Sequence, residues 1–404
     1  MDNHFISTLR CPITLGRVGP AGAQLIQELN VRIGNGDLFN QKGEKIRKPI
    51  TEVLVNDAGS YAYLFKDNIY HLLPESAIPL HETAQEVRLS VDLESFQAKK
   101  SVQTFYEEGG WEADGDHFLD AALYEDLRPV AEPYIRKCHM KVRQFIPPSG
   151  KYLLDVASGP IQYDEYLIYS QNYEKRICGD ISVAALKAAQ KRLPPGKGIF
   201  VLCDITALPF QSDSIDTALS LHTIYHVPAQ QQTKAIQELH RVVSVGGRVL
   251  IVYNWNRRKL LKPLARAVRG VYHALKPAAK RKFEEVTESD PGLYHKNFSY
   301  QYFKQSLGID FKVVNWRTFS VPVQKLLIRP KLGGKALLSL FYQLEISFPE
   351  LWGRIGNYPL FILEKETAYE PSVSDKYIPV ISTDDLEQMR TRKKGSAPVV
   401  LPKK

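Results

Sequence analysis

Four residues that could do chemistry each close a short apolar run: Asp155 after "YLL", Asp180 after "ICG", Asp204 after "FVLC" and His222 after "TALSL". Ligands of strand-and-helix sheets bind beyond the carboxyl ends of the strands, so four such ends converge on one crevice. Three carboxylates gathered there are costly unless a ligand uses them. Asp180 stands 21 residues after Gly159, close to the roughly 20 at which an acid reaches the hydroxyls of an adenosine ribose. A carboxylate suits that task because it accepts from both vicinal hydroxyls at once. A dinucleotide would ask for the full GxGxxG, with amides free to approach the pyrophosphate, and "DVASGPI" lacks it. An adenosine ligand without phosphates fits better. For a base, "LHTIYHVP" offers His222 at the strand end, with Tyr225 and His226 a helical turn on. The commoner fate of a residue such as His226 is a hydrogen-bonded structural histidine. Asp155 could cap the helix that follows it, and Asp204 could be a solvated turn acid.

The elements that must hold these residues alternate. β-type runs "YLLDVA", "KRICGDI", "GIFVLCDI", "SIDTALSL" and "GRVLIVYN" are separated by helix-like Tyr163–Asn172, "SVAALKAAQKRL" and "TKAIQELHRVV". Such alternation predicts an α/β fold, a doubly wound and mostly parallel sheet with right-handed crossovers. Residues 151–366 are expected to form this domain, with inserts at about 257–307 and 325–354 and further strands at Phe311–Phe319 and Tyr358–Lys365. Residues 81–150 read as a connector and leading helices. Within them, Leu119, Leu123, Leu127, Val130 and Ile135 keep helical spacing before the breaker Pro147-Pro148-Ser149-Gly150.

Taken in order, "LLDVASGP", "GDIS", "CDITALPFQSDSIDTALS" and "IQELHRVVSVGGRVLI" resemble the core of class I S-adenosylmethionine-dependent methyltransferases over Lys151–Asn254. The resemblance implies a seven-stranded Rossmann-like sheet and S-adenosylmethionine as cofactor. It implies that Asp155 and the turn Ala157, Ser158 and Gly159 face the methionine moiety. Asp180, followed by Ile181, would take the ribose, and Asp204 with the Ile205 amide the adenine. Where the family usually has three glycines, this chain keeps Gly159 alone and has Ala157 and Ile161 at the other two positions. Ala157 is accommodated if its φ is negative, and β-branching at Ile161 argues against φ > 0. Methyl transfer from a sulfonium needs alignment of the nucleophile and removal of its proton, so His222 is the candidate catalytic residue and no metal is called for.

Residues 1–80 read as a small β-rich domain of short strands and turns. "LRCPITLGRV" and "LFKDNIYHLLPESA" resemble the opening and closing of the zinc-ribbon-like domain that activates some methyltransferases. The paired zinc cysteines of that domain are absent. Cys11 is the segment's one cysteine and cannot make a four-ligand site. Four cysteines without a CxxC pair fit reduced thiols and a cytoplasmic location, and no run approaches the roughly 20 apolar residues of a membrane span.

The net charge of +9 favours anionic partners, but the excess is local, in Arg257–Lys282 and Arg390–Lys394. Leu261, Leu264, Val268, Val271 and Leu275 share one helical stripe there, so 257–282 could meet an anionic membrane surface, cover the substrate pocket, or pack on its own domain. Residues 367–404, rich in Pro, Ser and charge, are expected to be a mobile tail. Three functions follow. The leading one is an enzyme methylating a small organic acceptor of hydrophobic or lipid-like character. The absence of an Asn-Pro-Pro-Tyr signature after the fourth strand counts against methylation of base amines, but an RNA methyltransferase is the second. The third is a non-catalytic cofactor-binding or scaffold protein, suggested by Ile161 and the missing cysteines.

Overall fold

The computed structural model describes residues 1–81, 93–107, 111, 113–114, 117–118, 124–255, 293–330 and 333–370. The stripe at 257–282 and the tail beyond 370 lie outside the described residues.

The chain opens with α1 (Asn3–Ile6), β1 (Val18–Pro20) and α2 (Ala23–Asn35), then β2 (Val53–Asn56), β3 (Tyr61–Lys66), β4 (Ile69–His71) and β5 (Ile78–Pro79). Asp67 and Asn68, at φ 54° and 58°, make the two-residue turn between β3 and β4. Such left-handed pairs match the twist of a hairpin, and Asp and Asn tolerate them best after glycine. The reading of this region as strands and turns alone is corrected by α2. Leu25, Ile26, Leu29 and Ile33 form its apolar face against Leu38, Ile50, Val53 and Ala62, and Gly36 at φ 77° ends it. The Gly- and Asn-rich stretch that suggested a turn is in part this helix terminus.

Helix α3 (Leu93–Phe105) follows, then the two-residue strands β6 (Ala113–Asp114) and β7 (His117–Phe118), and α4 (Glu132–Arg143). Of the leading helical stretch read from Phe118 to Phe145, residues 119–123 are not described, and the later part is α4, which begins at Glu132. The alternating unit is β8 (Gly150–Val156), α5 (Asp164–Ile168), β9 (Tyr173–Asp180), α6 (Val183–Arg192), β10 (Gly198–Leu202), β11 (Ile215–Leu221), α7 (Gln232–Val242) and β12 (Val243–Val252). It ends with α8 (Tyr300–Ser306), β13 (Lys312–Arg317), α9 (Val321–Leu327), α10 (Gly334–Ser347), α11 (Pro349–Ile355) and β14 (Tyr358–Glu364).

One sheet runs through the molecule in the order β1-β2-β3-β4-β10-β9-β8-β11-β12-β14-β13, with β5 on β3. β10, β9, β8, β11 and β12 are mutually parallel, and β14 and β13 close that end antiparallel. This is the Rossmann-like methyltransferase order. The N-terminal hairpin does not stand apart, because β4 pairs in parallel with β10, Ile69 beside Phe200. Side chains of β8 alternate between two buried clusters, Leu154 and Val156 with Phe5 and Phe210, and Leu153 with Ile135 and Val142. Burial on both faces is what a parallel sheet between helix layers requires. No helix among the described residues is long and apolar enough to cross a membrane.

Candidate active site

The loop after β8 turns on three left-handed residues, Ala157 at φ 55°, Gly159 at 52° and Ile161 at 56°. The condition set for Ala157, a negative φ, is therefore not met, and the expectation against φ > 0 at Ile161 is overturned. The amides of Ala157 and Ser158 both donate to the Gly179 carbonyl, at 2.7 and 3.3 Å, and wind the loop over the end of β9. A left-handed L-residue costs roughly 1–2 kcal/mol. Full burial of an Ile side chain returns about 1.5–3 kcal/mol, and Ile161 is 0% exposed. Burial outweighs the strain, so the backbone shape of a three-glycine turn persists with one glycine.

The three carboxylates have different surroundings. Asp155 lies beneath the crevice, ion-paired with Arg176 of β9, and both are buried. Asp204 is ion-paired with Lys99 of α3 and accepts from the Thr206 amide and hydroxyl at 2.8 Å each. Burial raises the Asp204 carboxyl, and the Lys99 charge and the Thr206 bonds outweigh it and hold the acid below the ordinary carboxylate range. Asp180 alone of the three has no cation on it among the described residues. Its oxygens accept from the amides of Gly159 at 3.0 Å and Ser182 at 2.9 Å. Burial pushes its carboxyl up to about 6, against those amides. The cost expected of three acids together is thus met for two by cations of this chain, and it remains at Asp180.

Helix α3 runs across the same strand ends. Besides Lys99, Gln103 donates to the Ile181 carbonyl at 3.0 Å and Glu107 accepts from the Val183 amide at 2.5 Å. Tyr106 and Trp111 stack with centroids 4.8 Å apart, and a Cβ on Gly159 would come within 2.8 Å of the Trp111 indole. Glycine at 159 is what lets that ring approach. Ile205, 7% exposed, packs in the sheet core beside these ends.

His222 directly follows β11 at φ 62°, its amide bonded to the Val252 carbonyl at 3.0 Å. Its half-buried ring meets Trp316 at 4.6 Å and Tyr358 at 5.5 Å, both edge-on. Burial, then the nearby Arg317 charge, holds this imidazole well below its ordinary value, so it is neutral at pH 7. A neutral ring can accept a proton. His226 has its Nδ1 2.8 Å from the Tyr294 carbonyl, and the Tyr225 carbonyl accepts from the Lys296 amide at 2.7 Å.

The crevice thus gathers Ala157, Ser158, Gly159, Asp180, Ile181 and Asp204 at adjoining strand ends, with Asp155 below and His222 beyond. Sequence reasoning missed Lys99, Gln103, Glu107 and Trp111, which belong to a connector with no sustained apolar period. It missed Arg176 too, although an arginine within an apolar strand run signals a buried acid nearby.

Residues 154–251 match the family model described as "Methyltransferase domain". An uncharacterized methyltransferase of Mycobacterium leprae is 34% identical over 107 residues, 26% of this chain and 38% of that protein. Probable tRNA methyltransferase 9B of Bos taurus is 29% identical over 136 residues, 33% of this chain and 28% of that protein. Among solved structures, geranyl diphosphate C-methyltransferase from Streptomyces coelicolor A3(2) aligns over 66% of this chain and 97% of its own at 13% identity, TM-score 0.40. The chain thus spans less than two fifths of the length of these curated relatives. Residues 154–251 are a class I methyltransferase core within a Rossmann-like sheet.

Proposed function

We propose that this chain is an S-adenosylmethionine-dependent methyltransferase whose acceptor is a small organic molecule of largely apolar character. One observation carries the reading: Asp180, a buried acid without a cation among the described residues, beside a tight left-handed turn. That arrangement fits the ribose of an adenosine ligand, which offers two hydroxyl donors and no charge. Ala157, Ser158 and Gly159 would hold the methionine end, Asp180 and Ile181 the ribose, and Asp204 with Ile205 the adenine. When bound, the cofactor supplies a methyl group on a positively charged sulfur, which departs with the bonding pair. His222 receives the acceptor's proton, and the neighbouring rings exclude water. Residues 1–80 act as a built-in support that joins the core through β4 and β10, and 151–366 form the catalytic domain. A reducing, cytoplasmic setting accords with four buried free cysteines.

Calorimetric titration with S-adenosylmethionine and S-adenosylhomocysteine tests the reading. Micromolar binding, lost in Asp180→Ala, is the expected result. A wild-type protein that binds neither gives the lead to the scaffold reading.

A second reading, methylation of RNA, is favoured by the relation to a probable tRNA methyltransferase and by the charge of +9. It requires salt-dependent binding through several phosphates. Filter binding at low salt that retains no RNA removes it.

A further inference from the structure

Beyond the cofactor crevice, at the same edge of the sheet, Trp316 stands at the centre of a second group. His222 and Tyr358 meet its ring edge-on, at 4.6 and 5.9 Å. His139 of α4 lies nearly parallel to it, at 5.9 Å and 21°. The Arg317 guanidinium sits over both the Trp316 and Tyr358 rings, 4.8 and 4.9 Å from their centroids. His139, Trp316 and Arg317 are 1%, 1% and 2% exposed and make a floor. His222 and Tyr358 are half-buried and make a rim.

Two atoms of this floor, His139 Nε2 and Arg317 Nε, are buried with no hydrogen-bond partner among the described residues. An unmet buried polar group costs about 1–3 kcal/mol, which a ligand that answers it would recover. The Nδ1 of His139 lies 3.3 Å from Glu165 Oε2. A carboxylate can only accept there, so Nδ1 donates to Glu165 and Nε2 is the ring nitrogen left without a partner among the described residues. Arg317 Nε–H is a donor.

The charges narrow the ligand further. Arg317 is ion-paired with buried Glu125, so its charge is already met. A phosphate or carboxylate would bring an anion with no cation to itself, and a quaternary ammonium would meet the guanidinium instead of a free acid. An alkyl chain would leave both nitrogens unmet. A flat, uncharged ring bearing a hydroxyl fits these features: ring edges and faces pack at these spacings, and its oxygen accepts from Arg317.

We propose that this cluster is the acceptor site, and that the acceptor is an uncharged, hydroxylated aromatic ring methylated on oxygen. The proposal rests on the methyltransferase reading above. A ring hydroxyl at the His222 rim gives its proton to the imidazole, which becomes cationic, and the oxygen keeps the bonding pair as its nucleophilic lone pair.

The test is calorimetry of 2-naphthol against the full chain at pH 7.5, with and without S-adenosylhomocysteine, using sodium oleate and uridine as competitors. Expected is binding with a Kd below about 1 mM, weakened at least tenfold in Trp316→Leu and in the rim variant Tyr358→Ala, with S-adenosylhomocysteine affinity within twofold of wild type in Tyr358→Ala. A protein that binds S-adenosylhomocysteine but no 2-naphthol overturns the acceptor site and leaves the methyltransferase reading standing. Displacement by oleate or uridine, or equal binding in both variants, overturns it too. Binding of 2-naphthol that both variants lose, without any S-adenosylhomocysteine binding, leaves a ring-binding site there but removes the methyltransferase reading and with it the acceptor role.

Discussion

The Gly159 amide donates to the Asp180 carboxylate at 3.0 Å, so the turn after β8 and the acid that ends β9 hold one another in place. The acid is retained at a cost. Its carboxyl, ordinarily at 3.8, is pushed up to about 6 by burial. A raised folded-state value means that the stability present below the unfolded value is lost as pH rises through the folded one. Wild type should therefore lose about 1.4 kcal/mol relative to Asp180→Asn between pH 5 and pH 8. Urea denaturation at the two pH values checks this, and a pH-independent difference sinks it.

The same ionisation governs the ligand. Ribose hydroxyls need the carboxylate form, of which about a tenth is present at pH 5 and nearly all at pH 7.5. S-adenosylhomocysteine should bind about tenfold more tightly at pH 7.5 than at pH 5, and Asp180→Asn should flatten the profile. Flat calorimetric affinities in wild type would count against Asp180 as the contact.

Arg176 neutralises Asp155 where both are buried. Arg176→Met leaves a buried carboxylate alone and should destabilise by about 3–5 kcal/mol, whereas Arg176→Met combined with Asp155→Leu should recover much of it. Midpoints of urea unfolding for the two variants decide, and additive losses would deny the pairing.

Ala157 sits at φ 55°, where glycine is free of the roughly 1–2 kcal/mol of left-handed strain. Glycine also adds freedom to the unfolded chain. Ala157→Gly should stabilise by up to about 1 kcal/mol, read from thermal melts, with cofactor affinity unchanged. A lower melting temperature would show that the methyl group packs usefully.

Much of the crevice could be read in the residues themselves. Asp155, Asp180, Asp204 and His222 end apolar runs, and chain order places such ends side by side. The partners of those acids were less legible. Lys99 reaches Asp204 from more than a hundred residues upstream, in a segment whose hydrogen bonds to the crevice are polar and whose sequence carries no sustained apolar rhythm. The φ of Ile161 was misread, and that of Ala157 left open, because side-chain preference is local, while the Gly179 carbonyl and the buried core that override it are not. Trp316, Arg317 and Tyr358 join His222 because β13 and β14 return antiparallel to the sheet; the two strands were legible, but not which of their side chains meet His222.

The pairing of β4 with β10 also bears on how this protein avoids its own kind. β10 carries Phe200, Val201 and Leu202, and the Leu72 amide caps its far end through the Leu202 carbonyl at 2.9 Å. Without the N-terminal hairpin, that apolar strand would face solvent with a row of open amides and carbonyls, a template for strands of other molecules. The first eighty residues are thus a seal on the sheet, and a shortened chain lacking them would self-associate before any question of catalysis arose.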